Sequence, residues 1–296
     1  MRATTRLRQL LRSPELVVAP GAYDAITARL IAQAGFSAVY MTGAGVSASL
    51  GYPDYGLVTM SEMVERAGVL ARSVSVPVIS DADTGYGNEL NVTRTVREFE
   101  ARGVAAIHIE DQVTPKRCGH LDDKELIGLG EYVSKIKAAV AARQDPDFVI
   151  IARSDARTVN GFDDAIARVN AALEAGADVA FFESPTTAEE VAAIPGLVKG
   201  YCLLNLAQGG RTPMLPFDQV REMGYRLAIL PGALLVPAIA AAEAALSHIL
   251  TTRTVATPAA NLSIREVFRR VGADDWDAVR SKIASGAILE QPRMSR

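Results

Sequence analysis

Eight short apolar runs, recurring roughly every 30 residues with an amphipathic stretch after each, constrain the fold of this chain more than any other feature. They occupy residues 17–20, 38–43, 77–83, 106–111, 148–155, 179–184, 201–206 and 227–231, and are rich in Val, Ile and Phe. Between them, stretches such as AITARLIAQAG, DAIARVNAALEAG and FDQVREMG place apolar residues at helical spacing and close on a glycine, a common helix stop. Eight strand–helix units predict an α/β fold, a (β/α)8 barrel over residues 15–246. The competing arrangement is a doubly wound open sheet, which usually carries a glycine-rich phosphate turn after an early strand. Here the first run ends APGAYDA, and the barrel is the better reading. Residues 247–296 fall outside the eightfold pattern. They read as a loop, TTRTVATPAANLS, and helical segments at 264–271 and 276–284, a tail expected to pack on the barrel or on another subunit. No linker divides the chain, so a single domain is expected.

Charge and cysteine content exclude several classes. The net charge is −3 with no dense Lys/Arg run, so no nucleic-acid partner is expected. Two cysteines in unlike contexts, Cys118 and Cys202, do not make a disulfide framework, and a reducing, cytoplasmic setting is the default. The basic start MRATTRLRQLLRSPE lacks a continuous apolar core and reads as an amphipathic first helix rather than a secretory signal. Residues 227–246 are apolar over the length of a membrane span. Pro231, Gly232, Pro237 and Glu243 within them argue instead for a buried strand, a loop and a buried helix, with no membrane partner.

Polar residues cluster where the strands end, which in a barrel is where sites are built. The third run ends SDADTGYGN and the fourth HIED. Asp81 and Asp83, two apart, share a face if both lie on a strand. With Glu110 they form a set of carboxylates whose mutual repulsion a divalent cation relieves. An all-oxygen set favours Mg2+, with Mn2+ as a substitute, over zinc. The alternative is that these acids cap helices or pair with Arg153 and Arg157. Cys118 lies in the polar run TPKRCGH, and the neighbouring Lys116, Arg117 and His120 are expected to lower its pKa. A Cys so placed can act as acid, base or nucleophile, whereas Cys202 reads as strand packing. His108 reads as a hydrogen-bonded barrel residue rather than a ligand.

Together YMTGAGVSASLGYPDYGL, DADTGYGN, HIEDQVTPKRCGH, ARSDAR and NLAQGGRTP resemble the isocitrate lyase/phosphoenolpyruvate mutase superfamily, from about residue 20 to 245. The KRCGH loop resembles that of its lyase branch, which includes 2-methylisocitrate and dimethylmalate lyases. The resemblance implies a barrel whose last helix is exchanged between subunits in a homotetramer, a dimer of dimers. It implies Mg2+ near Asp81, Asp83 and Glu110, held largely through water. It implies an α-oxo acid pocket from Tyr40, Thr42, Gly43, Ala44, Asp54 and Arg153, completed by Glu183 and Asn205, with Cys118 and His120 on a gating loop. Thr42 stands where the family often has Ser, and NLAQGGRTP is nearer the dimethylmalate lyase pattern than that of 2-methylisocitrate lyase.

The expected activity is therefore cleavage of a carbon–carbon bond in a small 2-hydroxy di- or tricarboxylate. It gives an α-oxo acid and a carboxylate, with Tyr40, Arg153, Glu183, His120 and Cys118 carrying the chemistry and Cys118 protonating the enolate. Phosphonomutase chemistry and oxaloacetate decarboxylation or hydrolysis are the alternatives within enzymes. A non-catalytic barrel is the alternative outside them, against which the intact acid and KRCGH sets argue.

Overall fold

The computed structural model describes residues 1–255 and 262–285. The chain divides into two compact units, Met1–Ala240 and Ala241–Arg296. The first is a closed barrel of eight parallel strands in sequence order: β1 Val17–Ala22, β2 Val39–Met41, β3 Val78–Asp81, β4 Ala106–Glu110, β5 Val149–Ser154, β6 Val179–Phe182, β7 Tyr201–Asn205 and β8 Leu227–Leu230. β8 pairs back onto β1 through Val17 opposite Leu227, so no edge strand is left open. The helices are α1 Ala3–Arg12, α2 Ala25–Gln33, α3 Gly43–Ser49, α4 Met60–Ser73, α5 Glu89–Ala101, α6 Leu129–Ala142, α7 Phe162–Glu174, α8 Ala188–Leu197, α9 Phe217–Glu222 and α10 Leu235–Thr252.

Local chemistry explains the boundaries. Asp24 and Thr59 close capping boxes with Thr27 and Glu62 at the starts of α2 and α4, satisfying backbone donors that a helix start leaves free. Gly35, Gly176 and Gly224, read as helix stops, have φ of +94°, +105° and +105°, a conformation that costs a side chain but not glycine. Inside the barrel Ala19, Ile79, Ile151, Phe181, Leu203 and Leu227 pack as one cluster, and Leu7 and Leu11 of α1 join it. The amphipathic first helix thus closes the end of the barrel where the strands begin. Each such aliphatic buried is worth roughly 1.5–3 kcal/mol.

Three expectations are corrected. Run 38–43 is not strand throughout: β2 stops at Met41, Thr42 caps α3, and its hydroxyl accepts from the Gly45 amide. Asp83 is not on a strand, since β3 ends at Asp81 and Asp83 has φ +44°. The helix expected to be buried within 227–246 is α10, and none of its residues is buried, because nothing in the described chain covers it. Its 18 residues have a mean hydropathy of 1.4, which makes it the one described helix long and apolar enough to cross a membrane. Core helices of soluble proteins share that length and hydropathy.

In the second unit Ser263 caps α11 Ile264–Arg270 through a capping box with Glu266. α12 runs Ala273–Ala284, beginning three residues before the expected 276. Residues 256–261 of the expected loop and 286–296 of the tail lie outside the described residues.

Candidate active site

The strand ends deliver one side chain after another to a common mouth. Asp81, Glu110 and Asn205 are the last residues of β3, β4 and β7, Arg153 lies on β5, and Glu183 follows β6. Strand register sets Asp81 beside His108 and Glu110 beside Arg153. Below them His108 stacks on Tyr40 with ring centroids 5.8 Å apart and meets the edge of Phe181 at 5.4 Å. The Tyr40 hydroxyl and His108 Nε2 are 2.9 Å apart. Burial pushes the His108 imidazole down to about 4, so it is neutral at physiological pH. His108 is the hydrogen-bonded barrel residue the sequence suggested.

The carboxylates are dense. Asp81 Oδ1 accepts from the Asp83 amide at 2.9 Å, which is how a residue off the strand joins the cluster. Lys116 Nζ reaches in from the following loop, 2.5 Å from Asp54 and 3.0 Å from Asp83. Burial raises Asp83 to about 6 against the pull of Lys116, with Asp81 and Asp54 adding to the rise. Burial opposes ionisation of Asp81 as well, yet His108, Lys116 and Arg153 together hold its carboxyl below the usual range. Glu110 is raised by burial despite Arg153, whose Nη1 lies 2.9 Å from Oε2. Glu110 Oε1 has no hydrogen-bond partner. The alternative pairing with arginine is therefore real for Glu110, while Arg157 binds Glu190 instead.

Among the described residues no three His, Cys, Asp or Glu groups close into a complete ligand set. An orphaned Glu110 oxygen beside Asp81 and Asp83 nevertheless suits a hard cation that keeps its own waters. Gly43 leaves the room: a Cβ there would stand 2.3 Å from Asp81 Oδ2. At the start of α3 the amides of Gly43 and Ala44 have no acceptor within the helix.

Over this mouth folds the loop of residues 114–125, whose neck is the antiparallel bridge of Gln112 with Leu126. It lays Cys118, Gly119 and His120 against Arg153, Glu183 and Asn205. The cavity between them, of about 50 Å3, is lined by these six and by Tyr40, Thr42, Ala44, Asp54, Asp81 and Pro231. Gly119 serves close approach, not only bending: a Cβ would sit 2.3 Å from Arg153 Nη2 and 2.7 Å from Glu183 Cγ. Lys124 donates to the Gly119 carbonyl and lies 3.3 Å from Asp155. His120 Nε2 is 3.3 Å from Asn205 Nδ2 and 3.5 Å from Glu183 Oε1, and Asn205 donates to Glu183 at 3.1 Å.

The thiol corrects the sequence expectation. Burial, then the nearby Asp54 charge, push Cys118 up, and the backbone hydrogen bond with His120 and the cations Arg153 and Lys116 do not reverse it. Lys116 spends its charge on Asp54 and Asp83, so Cys118 is a thiol and not a thiolate. Cys202, buried in β7, is pushed up to about 12. Both cysteines are free.

All the expected substrate-side residues thus meet: Tyr40, Thr42, Ala44, Asp54, Arg153, Glu183, Asn205, Cys118 and His120 line the cavity, and Gly43 backs it. Asp83 and Glu110 lie behind Asp81. Sequence reasoning missed Lys124, Asp155 and Arg211. Of these only Asp155, at a strand end, carried a local signal.

The family model for phosphoenolpyruvate phosphomutase matches residues 7–250. The chain belongs to this family. Within it, the chain is 53% identical over 79% of its length to 2,3-dimethylmalate lyase of Eubacterium barkeri, covering 81% of that protein. It is 43% identical over 95% of its length to 2-methylisocitrate lyase of Aeropyrum pernix, covering 91% of it. Among solved structures, a trigonal crystal form of 2,3-dimethylmalate lyase, described as a PEP mutase/isocitrate lyase superfamily member, superposes with a TM-score of 0.91 at 41% identity, covering 96% of each chain. Oxaloacetate acetylhydrolase bound to 3,3-difluorooxalacetate gives 0.91 at 37%, over 97% of this chain and 98% of that one. Phosphonopyruvate hydrolase with oxalate and Mg2+ gives 0.86 at 32%, over 95% and 99%.

Proposed function

We propose that this chain is a carbon–carbon lyase. It cleaves a 2-hydroxy di- or tricarboxylate of the 2,3-dimethylmalate or 2-methylisocitrate type into an α-oxo acid, such as pyruvate, and a carboxylate. The observation that carries the reading is a half-buried thiol, Cys118, held by the loop over a cavity walled by Arg153 and Asp81. The higher identity to dimethylmalate lyase and the NLAQGGRTP run favour the smaller substrate type.

The Arg153 guanidinium and the free amides of Gly43 and Ala44 hold the carboxylate of the forming α-oxo acid. As the hydroxyl loses its proton and becomes the carbonyl, the bonding pair passes to the departing fragment as an enolate. Cys118 Sγ–H then protonates that carbon. The hydroxyl proton leaves to solvent, and the Cys118 thiolate left behind takes a proton back from solvent when the loop opens, so the protons balance and no co-reactant is consumed. Tyr40, its hydroxyl 2.9 Å from His108 Nε2, lines the cavity from below, and Glu183 with Asn205 orients His120. Loop closure excludes water that would otherwise compete for the enolate. A divalent cation held by Asp81, Asp83 and Glu110, mainly through its own waters, would add electrostatic stabilisation of the charge developing on oxygen.

One observation favours a second reading. Oxaloacetate acetylhydrolase superposes with the same TM-score of 0.91 as dimethylmalate lyase, over 98% of its own chain. A panel of dimethylmalate, methylisocitrate and oxaloacetate, scored for pyruvate and oxalate, separates the two. Pyruvate release from a 2-hydroxy acid is expected; oxalate from oxaloacetate alone shifts the assignment to hydrolysis. In the same assay chelation is expected to abolish turnover and added Mg2+ or Mn2+ to restore it. Full turnover after exhaustive chelation rejects the cation's role.

The reading includes a homotetramer. α10 leaves Val236, Ile239, Leu246, Ile249 and Leu250 exposed, and an apolar helix of this length is covered in a stable protein. Helix exchange with a neighbouring subunit supplies that cover. Light scattering is expected to return four times the chain mass of 31.5 kDa; a monomer at micromolar concentration rejects the exchange.

A further inference from the structure

The loop after β7 holds the Cys118 loop through one residue, Arg211. Its backbone amide donates to His120 Nδ1 at 3.1 Å, its Nε donates to the His120 carbonyl at 3.1 Å, and its Nη2 donates to Asp122. Beside it, Gly210 lies so close to His120 that a Cβ would stand 2.8 Å from the ring. We propose that Arg211 is a positioning residue that latches the Cys118 loop over the cavity and sets the His120 ring.

The geometry gives the latch its specificity. The bonds fall on residues 120 and 122, two and four positions beyond Cys118, so the guanidinium grips the loop just past the thiol. Two of its arms need the planar fork of arginine, because Nε and Nη2 reach a carbonyl and a carboxylate at once; a lysine ammonium offers no such fixed pair. An amide N–H can only donate, so His120 Nδ1 accepts from Arg211. The other ring nitrogen, Nε2, faces Glu183 and Asn205, so the residue that ties down the loop also orients the ring against the wall of the cavity. The other pins come from the barrel side: Ser184 Oγ and Lys124 on the Gly119 carbonyl, Ser184, Asn205 and Glu183 around the His120 ring, and Gln112 on the Arg117 backbone. Arg211 adds the restraint that ties the loop at His120 and Asp122 to the loop after β7. It is half-exposed, with a side-chain relative accessibility of 35%, so its bonds can open and re-form with the loop.

This inference deepens the proposed function, but its test does not use cleavage. Alkylation of the wild-type tetramer or monomer by iodoacetamide, resolved by peptide mass, reads Cys118 exposure, and buried Cys202 reads whether the barrel stays folded. Arg211→Ala is expected to speed Cys118 alkylation about 10- to 100-fold, the range for losing charge-assisted hydrogen bonds, while Cys202 stays protected. Arg211→Lys is expected to fall between. Unchanged Cys118 alkylation in Arg211→Ala, with Cys202 protected, overturns the latch. If Arg211→Ala also exposes Cys202, Asp122→Ala decides. Asp122 is 84% exposed, so its loss leaves the barrel intact. A faster Cys118 reaction there supports the latch, and an unchanged one overturns it.

Discussion

Replacing Cys118 by serine is expected to lower kcat for carbon–carbon cleavage by about 10²–10⁴-fold, the usual worth of a general acid, with little change in substrate or cation binding. A serine hydroxyl is a far weaker acid than a thiol, so it protonates the enolate slowly although it occupies the same place. The effect falls on kcat because the thiol acts after the bond has begun to break and adds few ground-state contacts. Burial and the Asp54 charge hold the thiol above its ordinary value, so it is protonated and competent through neutral pH. As pH rises through that raised value the acid is lost, and kcat should decline on an alkaline limb above the ordinary thiol range. Serine should remove that limb. Cys202→Ser is the control and should change stability at most, because Cys202 is buried among the apolar residues of β7. Turnover by Cys118→Ser near that of the wild type would refute the acid role and move the assignment toward phosphonate or decarboxylation chemistry.

The barrel was legible because its signal is repeated and local. Each strand is a short apolar run bounded by polar residues, and each helix carries its own cap and stop, so a misread boundary at 38–43 did not disturb the count. The acids were legible as a set because strand ends converge in any barrel. How they meet was not. Asp83 reaches Asp81 by a left-handed turn that period-two reasoning cannot anticipate. Lys116 lies on the loop after β4, 62 residues from Asp54, and such a pairing leaves no trace in sequence spacing. The Cys118 prediction failed on a magnitude: neighbouring cations were counted, but burial outweighs them once Lys116 is committed to Asp54 and Asp83. α10 failed for the opposite reason. A largely apolar helix reads as buried whether its cover comes from its own chain or from another, and sequence does not distinguish the two.

Arg153→Met is expected to cause the largest loss of stability of any single change in the site, and to abolish turnover. The guanidinium lies 2.9 Å from Glu110, 2.9 Å from Asp155 and 3.6 Å from Glu183, and its side chain is 7% exposed. Methionine keeps the bulk of the stem but leaves these carboxylates facing one another without their cation. Breaking a buried pair in this way costs about 3–5 kcal/mol, a fall in Tm on the order of 10 °C for a chain of this size. The pH dependence separates lost charge from lost packing. Burial opposes ionisation of Asp155, yet Arg153 and then Lys124 hold its carboxyl below the ordinary range. A carboxylate so depressed adds stability above its unfolded pKa and loses it as pH falls through the folded one. The wild type holds that contribution at neutral pH, and the variant has lost much of it. The gap between them should be widest near neutrality and narrow as pH falls below the ordinary aspartate range. A gap that stays constant with pH would assign the loss to packing alone. Arg153→Lys keeps the charge but not the fork, so it should recover most of the stability while turnover stays low, because a single ammonium cannot hold Asp155 and the α-oxo acid carboxylate in the same geometry.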